Sequence, residues 1–120
     1  MKGLSENIRL RNLVGRFLEH ARVFVFGQDG APVVYAGSAD WMPRNFFRRV
    51  EAVFPVEDPA LRQRILEEIL ASELRDTVDA ALLRPDGSYA PLAPAAGEEP
   101  FQAQRHFMTL AGARSAAGAP

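Results

Sequence analysis

Cysteine is absent from this 120-residue chain, so a disulfide framework, a thiolate metal site and thiol redox chemistry are all excluded. Also lacking is any run close to the about 20 apolar residues that cross a bilayer. The opening Met1-Lys2-Gly3-Leu4-Ser5-Glu6 has no signal-peptide core. A cytoplasmic protein without a transmembrane segment is expected. Excess charge of either sign is missing as well, the net being −1, and no nucleic-acid partner is expected.

What is present suits a folded chain. Hydrophobic residues make up 48% and charged residues 24%, near the average of globular domains and far from the composition of disorder. At 13.2 kDa the chain holds one domain at most. The charge is unevenly placed: residues 1–55 carry eight Lys/Arg against five Asp/Glu, and residues 56–120 carry six against ten. A cationic front half suits an anionic ligand, although such a swing is also common in proteins that bind nothing charged.

Periodicity gives an α/β pattern. Ser5 and the recurrence of Leu10, Leu13, Val14 and Phe17 predict an amphipathic helix over 5–19. The β-branched and aromatic runs 22–26 and 32–36, separated by Gly27-Gln28-Asp29-Gly30, predict a hairpin. Alternation over 49–54 predicts a third strand ended by Pro55. Asp58-Pro59 opens a helix lined by Leu61, Ile65, Ile69 and Leu70, and Pro85-Asp86-Gly87 turns a second hairpin. Residues 93–100 read as a linker, 101–110 as a short helix and 111–120 as a disordered tail. A helix with no earlier strand to pack on predicts that the fold is incomplete at its N-terminal side.

His20-Ala21-Arg22 at the mouth of a strand sets a titratable imidazole beside a permanent cation, and Gly37-Ser38-Ala39-Asp40 follows the next strand. Imidazole exchanges protons near neutral pH, guanidinium grips phosphate oxygens with paired hydrogen bonds, and a Gly-Ser turn offers close polar contacts. These residues form a candidate phosphate site. The plainer alternative makes His20 a cap at the end of the first helix, favoured by the helix dipole.

His-x-Arg followed by Gly-Ser-x-Asp resembles a degenerate phospholipase D motif. Leu4-Ser5-Glu6-Asn7-Ile8-Arg9, Val14-Gly15-Arg16-Phe17-Leu18-Glu19-His20 and Ser38-Ala39-Asp40-Trp41-Met42-Pro43-Arg44-Asn45 together resemble the C-terminal half of bacterial polyphosphate kinases, in order and spacing. The similarity continues through Arg49-Val50-Glu51, Asp58-Pro59 and Pro85-Asp86-Gly87. It implies a phospholipase D-like α/β half-domain over residues 1–92, with a mixed sheet flanked by helices. Residues 93–120 would follow as linker, short helix and tail. It also implies transfer of the terminal phosphate of ATP to polyphosphate, with ADP as product, through a phosphohistidine on an earlier domain and with Mg2+ bound mainly there. The partners implied are ATP, ADP, polyphosphate and the remainder of the kinase chain, and the complete enzyme is expected to be a homo-oligomer.

By the same resemblance His20 is the proton donor or phosphate contact, with no metal ligand in this segment. Arg22 and Ser38 are its neighbours, and Arg44 and Arg49 line a channel for the polyphosphate. Read from the residues alone, Arg44 serves equally as a turn cap and Arg49 as a partner of Glu51 or solvent, while Trp41 and Met42 read as packing and His106 as a surface or interface residue. Phe46-Phe47 departs from the family, where an aliphatic and then an acidic residue are expected; that removes a carboxylate that would orient Arg48 or Arg49. A non-catalytic polyphosphate- or nucleotide-binding module, or an assembly module, is the alternative function.

Overall fold

The structure is a computed structural model that describes residues 3–27, 30–116 and 118. Along the chain run β1 (Arg11–Leu13), β2 (Val23–Phe26), β3 (Val33–Gly37), α1 (Pro43–Arg48), β4 (Val53–Pro55) and α2 (Pro59–Gln63). A π-helical segment (Arg64–Leu70), α3 (Ala71–Arg75), β5 (Ala80–Leu83), β6 (Tyr89–Pro91) and α4 (Ala103–Ala116) complete it. Two compact units result, one of Glu19–Glu68 and one of Met1–Leu18 with Ile69–Pro120.

In the Glu19–Glu68 unit the expected hairpin forms, with Phe24 opposite Tyr35 and Val25 opposite Val34. Gln28 and Asp29 of its expected turn lie outside the described residues. Val34, on the central strand, is the buried apolar residue of the unit. β4 joins the other edge of β3, pairing Gly37 with Val53 and Tyr35 with Pro55. The strand expected over 49–54 is therefore shorter and displaced. Residues 49–52 are not strand, because the chain leaves α1 at Arg49 and reaches the ladder only at Val53. α1 was not foreseen; Pro43 at its first turn supplies the helical φ that starts it.

The first turn of α2 matches expectation, since the Asp58 side chain accepts from the Leu61 N–H at 2.9 Å and Pro59 follows it. The helical stretch then widens to π geometry over Arg64–Leu70 before closing as α3.

In the other unit the helix expected over 5–19 does not exist. Leu10, Val14 and Phe17 are exposed, so their helical spacing is not a buried face. Residues 11–13 instead pair antiparallel with β5, Arg11 opposite Leu82, and both backbone groups of Phe17 bond to the Gln104 side chain. Gly15 lowers the helical preference of the stretch, and a Cβ there would lie 2.6 Å from Gln104 Oε1. Long-range pairing satisfies the backbone that a marginal helix would have satisfied locally.

The core of this unit is built around Asp76, which is fully buried. Its carboxylate accepts from the N–H groups of Val78, Asp79 and Ala103 at 2.9, 2.7 and 2.7 Å, which fixes the start of α4. α4 runs to Ala116, so residues 111–116 of the expected disordered tail are helical; Ala117, Ala119 and Pro120 lie outside the described residues.

The α/β class holds, but the expected mixed sheet is corrected: among the described residues there are two three-stranded sheets, β1-β5-β6 and β2-β3-β4, and every pairing is antiparallel. The short β2–β3 and β5–β6 connections favour that geometry, since parallel pairing needs long crossovers, whereas β1 reaches β5 across most of the chain. Among the described residues no helix is long and apolar enough to cross a membrane.

Candidate functional site

The candidate residues named from the sequence all fall in the Glu19–Glu68 unit. His20 lies exposed in the irregular stretch that enters β2. No helix ends there, so its reading as a helix cap is overturned. Arg22 follows, and its guanidinium turns back on the chain: Nη1 donates to the His20 carbonyl at 3.1 Å and Nε donates to Asp40 Oδ1 at 2.7 Å. One cation thus joins the backbone carrying His20 to the turn after β3.

Asp40 is the acceptor of that pair and is partly exposed. The hydrogen bond from Arg22 holds its carboxyl below the usual aspartate range against the opposing effect of desolvation. The charges of Arg22, His20 and Arg44 add to the same effect. The pairing raises the already high pKa of Arg22. Arg44, exposed on α1, therefore shares the field of Asp40 with His20 and Arg22.

Gly37 makes the next part possible. A Cβ at this position would lie 2.7 Å from the Ala52 carbonyl oxygen, so only glycine lets β3 come this close to the residues before β4. Ser38 N–H bonds to Ala52 O at 3.0 Å, and Ser38 Oγ accepts from Ala52 N–H at 3.1 Å while donating to Glu51 Oε2 at 2.5 Å. The other Glu51 oxygen accepts from Asn45 Nδ2 at 2.7 Å and lies 3.6 Å from Arg49 Nε. The Ser38 hydroxyl above all, then the Asn45 amide and the charges of Arg49 and Arg22, hold Glu51 below the usual glutamate range.

Asn45 is buried, and its Oδ1 has no hydrogen-bond partner. Flipping the amide would turn that oxygen toward the Glu51 carboxylate, so the bond to Glu51 fixes its orientation. Arg49 remains 60% exposed despite its pairing, which leaves most of its guanidinium open to solvent.

The unit therefore gathers His20, Arg22 and Arg44 about Asp40, and Ser38, Asn45 and Arg49 about Glu51, with Arg22 acting on both carboxylates. Sequence reading missed the two carboxylates as organisers. The signal for Glu51 is the register: pairing of Gly37 with Val53 brings Ser38 against residues 51 and 52. Glu51 thus places a carboxylate 3.6 Å from Arg49 Nε, where Phe46-Phe47 removes one.

Trp41 is 80% exposed with one face 6.3 Å from the Phe24 ring, so the reading of Trp41 as a packing residue does not hold within this chain. His106, expected at the surface or an interface, is half-buried against the Phe101 ring at 5.3 Å. A cleft of about 600 Å³ in the other unit, lined by Arg9, Arg11, Leu13, Glu73, Leu74 and Leu82, contains none of the candidate residues. Among the described residues no group of three His, Asp or Glu side chains is arranged to hold a metal ion.

The profile of the family described as Polyphosphate kinase C-terminal domain 2 matches residues 1–104. The chain is 49% identical over 112 residues to the polyphosphate kinase of Neisseria meningitidis serogroup C (strain 053442), covering 93% of this chain and 16% of that protein. It is 47% identical over 104 residues to the polyphosphate kinase of Xylella fastidiosa (strain Temecula1), covering 87% of this chain and 15% of that one. The crystal structure of polyphosphate kinase from Porphyromonas gingivalis superposes with a TM-score of 0.80 at 36% identity, over 92% of this chain and 17% of that chain. The chain thus spans about one-sixth of the length of the relatives it matches. With a profile match over most of its length and close relatives throughout, the chain belongs to the polyphosphate kinase C-terminal domain 2 family.

Proposed function

We propose that this domain supplies one half of the phosphotransfer site of a cytoplasmic polyphosphate kinase, with the phospholipase D-like half-site arrangement that its His-x-Arg and Gly-Ser-x-Asp motifs suggest. The reaction moves the terminal phosphoryl group of ATP to the end of a polyphosphate chain. The bond from the γ-phosphorus to the β,γ-bridging oxygen breaks and ADP leaves. A histidine on the remainder of the enzyme carries the phosphoryl group before an oxygen of the growing chain takes it. Splitting a hard transfer into two easier ones is the advantage of such a covalent carrier.

The observation that carries this reading is the Arg22 guanidinium joining the His20 carbonyl to Asp40, in a unit that also presents the exposed Arg44 and Arg49. Phosphoryl transfer demands positioning and stabilisation of spread negative charge more than covalent work by the protein. His20 is exposed, titratable and set next to fixed cations, and so suits phosphate contact or proton donation. Arg44 and Arg49 present guanidinium forks that suit the oxygens of a phosphate chain. Arg22 and Ser38 spend their hydrogen bonds largely inside the protein, so their part is to hold the site together.

The residues present do not fit a magnesium ion. Asp40 is engaged by Arg22, Glu51 by Ser38 and Asn45, and no third ligand joins either among the described residues. The reading assigns Mg2+ to the remainder of the enzyme, together with the phosphorylated histidine and the contacts of a homo-oligomer.

The test is His20→Ala in a complete polyphosphate kinase carrying this domain. A group that acts mainly in the transition state should change turnover more than binding, so kcat should fall about 100-fold, the usual share of one acid–base group. Label from γ-labelled ATP should still reach the separate histidine in part and none should appear on His20. Wild-type kcat, or acid-labile and base-stable label on His20 itself, would remove His20 from this role. Polyphosphate binding that persists with no phosphorylation when the missing half is supplied would favour a non-catalytic binding module.

A further inference from the structure

We propose that Glu51 is a positioning residue for phosphate binding by this domain, holding Arg49 and the Ser38 turn in place without itself touching the phosphate. The inference rests on the reading of the Glu19–Glu68 unit as a phosphate-handling half-site. Its independent observation is that one carboxylate, with its side chain only 13% exposed, ties together three separate segments. Ser38 comes from the turn after β3, Asn45 from α1, and Arg49 from the stretch leading to β4.

Donor counting gives each group its role. The hydroxyl of Ser38 has one proton, and that proton goes to Glu51. The same oxygen accepts from Ala52 N–H, so Ser38 has no proton left to donate to a phosphate oxygen. Asn45 is buried and its amide donates to Glu51; it anchors the carboxylate from below. Arg49 turns one edge, Nε, toward Glu51. A guanidinium has five N–H donors, and those on the two Nη atoms form the fork that grips phosphate oxygens. Pairing through Nε leaves that fork exposed.

Electrostatics alone predicts the opposite behaviour. A carboxylate near an anion site repels the anion, so a Glu51 that serves only as counter-ion weakens phosphate binding, and its neutralisation strengthens it. A Glu51 that positions Arg49 strengthens binding through geometry, and its neutralisation weakens it. The sign of the change separates the two.

The experiment is isothermal titration calorimetry of a complete polyphosphate kinase carrying this domain with sodium tripolyphosphate at neutral pH, with thermal unfolding of each variant to check folding. Glu51→Gln replaces one of the two acceptor oxygens by a donating NH2 that faces Ser38 or Asn45, carries no charge, and is expected to raise Kd about tenfold although a negative charge has been removed. Glu51→Asp keeps the charge on an arm one methylene shorter, and is expected to weaken binding as well. In an Arg49→Ala background, Glu51→Gln is expected to weaken binding less than in the wild-type background, because the part of its influence that runs through Arg49 is gone.

Equal or tighter binding by folded Glu51→Gln overturns the inference and leaves the half-site reading standing. If Glu51→Gln fails to fold, Glu51→Asp decides: unchanged affinity overturns the positioning role. A Kd left unchanged by Arg49→Ala removes the phosphate contact of Arg49 and the inference with it, while the half-site reading is decided separately by His20→Ala.

Discussion

A carboxylate held by donors in the native state resists protonation, and that resistance is a stability term with a definite sign. The hydrogen bond from Arg22 depresses Asp40, and those from Ser38 and Asn45 depress Glu51. Glu6 is lowered by the N–H of Gly3, and Asp86 by the hydroxyl and N–H of Ser88. Depressed folded values mean that the unfolded chain takes up protons first as the pH falls. The stabilisation is fully present above the ordinary values of 4.5 for glutamate and 3.8 for aspartate. It is lost as the pH drops through the lower folded values. Thermal melts should show a midpoint that these groups leave flat above about pH 5 and that declines below it. The decline should be shallower in the Asp40→Asn, Glu51→Gln double variant, where two of the four groups no longer titrate. An identical acid slope in both proteins would show that the two carboxylates do not carry the effect.

Elements that the sequence made legible are those whose cause is local. The β2–β3 hairpin follows from alternation within 22–36, and the start of α2 from Asp58 and Pro59 side by side. The helix expected over 5–19 fails because its competitor is distant: β1 exists by pairing with β5, with Arg11 opposite Leu82, and no local pattern announces that partner. The site divides in the same way. His20, Arg22, Ser38 and Arg44 stand in contiguous motifs, whereas the role of Glu51 depends on the β3–β4 register. Gly37 sets that register, and it offers a test at the same scale. An added Cβ meets the Ala52 carbonyl oxygen at 2.7 Å and Val53 Cγ2 at 2.9 Å. Backbone cannot step aside as a flexible side chain does, so Gly37→Ala should separate β3 from β4 and cost about 2 kcal/mol, within the usual range for overpacking. Gly112 lies inside α4 with nothing within 4 Å of an added Cβ. Gly112→Ala should therefore stabilise by up to about 1 kcal/mol through helix propensity. Urea unfolding of the two variants should give opposite signs; a neutral Gly37→Ala would mean that the close approach does not fix the register.

At the scale of the whole molecule the chain leaves much apolar surface in water. Leu18 is 84% exposed and Val50 fully so, and Leu4, Ile8, Val14, Trp41 and Phe47 are also mostly exposed. Single exposed apolar residues are ordinary, but a chain with few buried ones cannot balance so many. Val34, Ala80 and Ala103 are the buried apolar residues among those described. Both sheets have only three strands, and their outer strands offer unpaired backbone groups, which favour pairing with another chain. Relatives about six times as long match this segment, and their additional chain is the natural cover for such faces in a complete enzyme. Taken by itself, the 120-residue chain should therefore self-associate. Sedimentation velocity over a hundredfold range of concentration should show weight-average sedimentation coefficients that rise with concentration. A Trp41→Ser, Phe47→Ser, Val50→Ser variant should shift that rise to higher concentration if the Glu19–Glu68 unit drives the association. Removing only side chains more than about three-quarters exposed should leave the fold intact, since surface substitutions usually change stability by no more than about 0.5 kcal/mol each. A single sedimenting species of monomer mass at every concentration, with a sharp unfolding transition independent of concentration, would show that the small core and two short sheets suffice on their own.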